Sequence, residues 1–90
     1  DNMKIKEGFI LRKMNNMNIV VAVGKAVKTF NGYITLNETG TFFWEKLANG
    51  CTKEDLLNAV LAEYDIDEAT ALEDINLFID NLTKNGLIEE

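Results

Sequence analysis

Few side chains in this 90-residue sequence could do covalent or acid–base chemistry, and their spacing assembles none of it. Cys51 is the sole thiol, and His, Ser, Pro and Gln are absent. A serine triad needs Ser and His, a Cys–His pair needs His, and a structural zinc needs several Cys or His ligands. Cys51 is read instead as a small packing residue between a helix-ending Gly50 and the next helix start. Asp65-Ile66-Asp67-Glu68-Ala69 opens like a calcium loop. It lacks the ligand at position five and the glycine at position six. The glycines make no phosphate-cradling spacing. Neighbouring carboxylates such as Glu73 and Asp74 read as a solvated helix face. The chain is therefore expected not to be an enzyme, with no metal and no cofactor. A lone cysteine forms no internal disulfide, which suits a cytoplasmic location.

Binding remains as the chemistry on offer, and it depends on the elements that position the side chains. The chain weighs 10.1 kDa, room for one small core. Residues 3–90 are read as a single domain, with Met3 as a native start and Asp1 and Asn2 as an expression-tag remnant. The longest apolar run, Ile19–Val23, is too short to span a membrane.

The first third reads as β-structure. Phe9–Arg12 and Asn18–Val23 are strand candidates on either side of a tight turn at Met14-Asn15-Asn16-Met17. A loop over 25–32 leads to a third strand, Tyr33–Leu36, with Ile34 and Leu36 on one face and Tyr33 and Thr35 on the other. Three helices follow. Asn37 is the N-cap of the first, whose apolar face is Gly40, Phe43, Trp44 and Leu47. Glycine on that face predicts close approach of another backbone. Thr52 and Asp55 form a capping box for the second helix. Asp67 caps the third, expected over about 68–85, with Ala71, Leu72, Ile75, Phe78, Ile79 and Leu82 facing one way. Gly86 ends it, with Leu87 placed to fold back on Leu82.

A three-stranded antiparallel sheet followed by three helices is an α+β, winged-helix-like arrangement. Winged helices commonly read DNA with the third helix. Here that helix and its cap carry Asp67, Glu68, Glu73, Asp74 and Asp80 against Lys84 alone, a poor match to a polyanion. A DNA-binding regulator remains the alternative that the fold suggests, and a structural homo-oligomer joined through a strand edge is another. Residues 1–36 carry six basic side chains and two acids, and residues 37–90 carry three and thirteen. Leu77 breaks the pattern, because it points to the polar side of the third helix with Thr70, Asp74 and Asn81. It is either an isolated exposed leucine or the floor of a groove beside the third strand. In the second case an extended peptide could add to the strand edge.

Three segments carry a family resemblance. Leu36-Asn37-Glu38-Thr39-Gly40, continuing to Trp44 and Leu47, resembles L-N-x-x-G-x-x-x-W-x-x-L. Glu63–Asp67 resembles E-Y-D-V-D, and Asp74-Ile75 through Phe78-Ile79, Leu82 and Gly86-Leu87 resembles D-V-x-x-F-L-x-x-L-x-x-x-G-L. In this order they are similar to the pyrroloquinoline quinone biosynthesis protein D (PqqD-like) family, over about 9–88. The resemblance implies a non-catalytic peptide-recognition module. Such a module binds the leader of a ribosomally made precursor by strand addition and presents it to a modifying enzyme, often of the radical S-adenosylmethionine type. The expected partners are thus a leader peptide and that enzyme, with no nucleic acid and no membrane, the chain being a monomer or a homodimer. Tyr33, Ile34, Thr35 and Leu36 are the expected strand edge, and Thr70, Asp74, Leu77, Asn81 and Lys84 the expected helix wall.

Overall fold

The computed structural model describes residues 2–90. In chain order its elements are β1 (Lys4–Ile5), β2 (Phe9–Met14), β3 (Met17–Ala22), a 3-10 helix (Gly24–Lys28), β4 (Tyr33–Leu36), α1 (Glu38–Ala48), α2 (Lys53–Glu63), α3 (Glu68–Lys84) and β5 (Ile88–Glu89). Asn15 and Asn16 take φ of 49° and 69°, the left-handed pair that a two-residue hairpin turn demands and Asn tolerates. The turn sets Met14 opposite Met17 and Phe9 opposite Ala22. β4 pairs antiparallel with β3, giving a sheet of order β2-β3-β4. The outer edge of β4 therefore has no strand beside it among the described residues.

Strand alternation divides this sheet into two faces. Leu11, Val20 and Ile34 align across it and meet the core, where Val20 is wholly buried. Ile10, Val21 and Tyr33 align on the opposite face, next to Arg12, Ile19 and Thr35. Ile10, Ile19 and Val21 lie outside the contiguous core, with Ile19 itself buried and Ile10 and Val21 half-buried.

The helices start where their caps place them. The Asn37 Oδ1 accepts from the Gly40 N–H at 2.8 Å. Thr52 and Asp55 exchange both bonds of a capping box at 3.0 Å, and Asp67 accepts from the Thr70 N–H at 3.1 Å. These satisfy donors that a helix start leaves unpaired. Gly86, at φ 80°, ends α3 with the Schellman pair of bonds, Gly86 N–H to Thr83 at 3.0 Å and Leu87 N–H to Leu82 at 2.9 Å. Leu82 and Leu87 are fully buried.

Three expectations are corrected. On α3 the buried stripe is Ala71, Ile75, Ile79 and Leu82. Leu72 is exposed and Phe78 half-buried, because each lies about 60° of helical rotation from Ile75, on opposite borders of the stripe. Gly40 is not approached by another backbone. A Cβ there would lie 3.0 Å from the Asn37 Oδ1 and 3.5 Å from the Leu36 Cβ, so the glycine makes room for the cap and for β4's last side chain. The loop over 25–32 contains the 3-10 helix.

A second sheet, β1 paired with β5, has no counterpart in the sequence pattern. Its two-residue strands are too short for periodicity to register. It ties the chain ends to the helices. Met3 and Cys51 exchange backbone bonds of 2.7 and 2.9 Å, and the Lys6 N–H donates to Leu87 at 2.8 Å. Met3 and Ile5 are buried in the core. Among the described residues no helix is long and apolar enough to cross a membrane.

Candidate functional site: a groove between β4 and α3

The end of β4, the start of α1 and one side of α3 enclose an open groove of about 440 Å³. Each wall follows from local sequence. Thr35 and Leu36 lead from the strand into Asn37, whose capping bond turns the chain into α1. Gly40, in the first turn of α1, lines the groove beside the rings of Phe43 and Phe78, which form the floor at a centroid separation of 5.5 Å. The α3 wall is Asp74, Leu77, Phe78 and Asn81, consecutive sectors of one helical side at 100° per residue. Leu77 is 64% exposed.

Thr35, Leu36, Asp74, Leu77 and Asn81 are thus brought together as expected from the sequence. Tyr33, Ile34, Thr70 and Lys84 do not line the groove. The Tyr33 side chain stands on the other face of the sheet and is 54% exposed, while Ile34 packs towards the core. Their backbones remain part of the open edge. Thr70 and Lys84 share the helical side but sit nearer the two ends of α3. Asn37, Thr39, Gly40, Phe43 and Phe78 are groove residues that sequence reading left out. The available signal was the cap at Asn37 followed by glycine three residues on, which predicts an open first turn.

A second hollow of about 440 Å³ lies across the Leu36–Asn37 corner and shares Thr35, Leu36 and Asn37 with the groove. It is bounded by Met17, Phe42 and Tyr64 with Glu38 and Glu45. Partial burial, then the Glu38 carboxylate, push the Tyr64 hydroxyl above its ordinary pKa, so it stays neutral. Cys51 lines neither hollow, and burial, with Asp55 nearby, raises its thiol away from the reactive thiolate. What the groove presents is an unpaired strand edge, an apolar floor, amide and hydroxyl groups and one carboxylate. These are groups for holding an extended chain.

Residues 17–88 match the family model described as coenzyme PQQ synthesis protein D (PqqD). The chain belongs to the PqqD family. Among solved structures this PqqD-family chain is similar to TbiB1, described in complex with the TbiA(beta) leader peptide. The TM-score is 0.75 at 23% identity, over 96% of this chain and 94% of that one. It is similar also to lasso peptide synthetase B1 complexed with the leader peptide, with a TM-score of 0.75 at 18% identity over 98% of both chains. At such identities the likeness is one of fold. No curated protein sequence matches it.

Proposed function

We propose that this PqqD-family chain is a non-catalytic recognition protein. It holds the leader of a ribosomally made precursor peptide and presents the rest of the precursor to a modifying enzyme, of radical S-adenosylmethionine or another type, in the cytoplasm. The observation that carries the reading is the open edge of β4 beside an apolar-floored groove. A leader strand laid on that edge forms main-chain hydrogen bonds with β4 and sets alternate side chains against Leu77 and Phe78. Micromolar affinity needs about −8 kcal/mol. A few main-chain bonds at about 1 kcal/mol each and one or two buried apolar side chains at about 1.5–3 kcal/mol each reach it, after the ordering cost of the peptide. Tethering then raises the local concentration of the core peptide at the enzyme. The solved structures of similar fold are described as leader-peptide complexes, which supports the same use of this groove.

The test is titration of isotope-labelled protein with leaders of short precursors encoded beside this chain. The reading expects amide shifts at Tyr33–Asn37 and along Asp74–Asn81. Shifts confined to α2, or none, overturn it. The free edge of β4 also fits self-pairing of two copies. Sedimentation decides that point, since a dimer that leader peptide does not dissociate favours self-pairing.

A further inference from the structure

Among the described residues Asp74 is the one ionisable side chain lining the groove. It is half-buried, and the side-chain bonds formed on either side of it along α3 do not reach its carboxylate. Lys53 donates to Asn76 at 3.0 Å, and Asn85 donates to the Asn81 carbonyl at 2.8 Å. The only cation of α3, Lys84, is ten residues further on, about 15 Å along the axis. In the free protein water solvates this carboxylate. A peptide strand over the groove displaces that water, and a carboxylate left beside an apolar floor is then costly unless a donor replaces it. The adjoining hollow repeats the sign, because its charged lining groups are Glu38 and Glu45. Among the described residues the lining of the path across the Leu36–Asn37 corner thus holds carboxylates and no basic side chain, the Lys46 ammonium being set over the Phe42 ring at 5.1 Å.

Spacing adds a register. Asp74 and Leu77 stand three apart on one helix side, with Cβ atoms about 5–6 Å apart. Side chains two apart on a strand leave the same face about 6.6–6.8 Å apart. A strand along this wall therefore meets the two positions with successive same-face side chains.

We propose that the leader selected by this chain carries a Lys or Arg two residues from a bulky apolar residue, the cation facing Asp74 and the apolar side chain seated on Leu77 and Phe78. The inference rests on the leader-binding reading and specifies its ligand. The pairing also excludes acidic segments, which the like charge repels.

Random peptides displayed on phage, selected against the intact protein, provide the test. The expected enrichment is Lys or Arg at two residues from an aromatic or large aliphatic residue. In calorimetry, replacing that cation by Gln in an enriched peptide should weaken binding about tenfold. With Asp74→Asn protein the same replacement should change binding less than about twofold, and Asp74→Lys should turn the selection towards acidic peptides. Enriched peptides that shift the amides of Thr35–Asn37 and Asp74–Asn81 but show no basic preference overturn this inference and leave the groove reading standing. An undiminished cation preference in Asp74→Asn overturns it as well. Peptides that shift amides elsewhere, or a selection that yields none, remove the groove reading and the inference with it.

Discussion

Leu77 and Ile75 are two residues apart on α3, yet one is 64% exposed and the other wholly buried. Leu77→Asp should fold normally, within about 1 kcal/mol, because an exposed helix position tolerates Asp. It should weaken leader binding by about 1.5–3 kcal/mol, the worth of a buried leucine. Ile75→Asp should abolish the cooperative thermal transition, because it places an unpartnered charge in the core. Phe78 is a poorer contrast, since its half-buried ring touches both Phe43 and the groove. A Leu77→Asp protein that melts like Ile75→Asp would remove Leu77 from the groove wall. Asp67 supplies a residue-level pH dependence. Bonds from the Thr70 side chain and backbone hold its carboxyl below the ordinary value. Its stabilising effect is complete at neutral pH and is lost as pH falls below the usual Asp range of ~3.9 and through the lowered folded value. Asp67→Asn keeps an N-cap acceptor and should flatten that acid limb in pH-dependent denaturant unfolding. An unchanged limb would assign it to other carboxylates.

Strand alternation gives the same kind of contrast at the level of elements. Val20 lies wholly buried against the helices, and Val21 points to the face that lies outside the contiguous core. Val20→Lys should unfold the protein, while Val21→Lys, at a half-buried position, should stay folded and lose about 1–3 kcal/mol. Chemical denaturation of the two variants checks this. Equal damage would mean that the outer face is covered. The hairpin, the three caps and the Schellman end of α3 were all legible in the sequence, because each depends on neighbours within about five residues. The breadth of the α3 stripe was not. At 100° per residue, Leu72 and Phe78 lie at its borders, and whether a border residue is buried depends on what packs beside it.

Across the whole molecule, the N-terminal segment outside the matched residues 17–88 still builds the core. β1 pairs with β5, and Met3 and Ile5 are buried. Removing residues 2–7 should lower unfolding stability by about 3–6 kcal/mol, the burial of two apolar side chains, out of a total of about 5–15 for a typical domain. A melting temperature unchanged by the truncation would show that β1 contributes little. Charge is also divided at this scale, with the basic excess in residues 1–36 and a balance of −10 in residues 37–90 from three basic and thirteen acidic side chains. Among the described residues the groove draws its one charged side chain, Asp74, from the acidic part.

Local rules were enough to place three strands and three helices to within about two residues at each end, with β2 running on to Met14 and β3 starting at Met17, to put Leu77 on the exposed side of α3, and to show that no His-dependent or multi-cysteine chemistry is available. Periodicity, capping and turn geometry are properties of adjacent residues, and composition needs no fold. Tertiary structure alone decided that β4 is the sheet edge beside α3, that Thr35, Leu36, Asp74, Leu77 and Asn81 share one groove while Thr70 and Lys84 do not, and that Phe43 and Phe78 form its floor. It also closed β1 onto β5. Those facts join residues that lie between 35 (Phe43 and Phe78) and 85 (Lys4 and Glu89) positions apart in the chain. No repeating local signal spans such a distance, and only the burial of one shared core sets which surfaces meet.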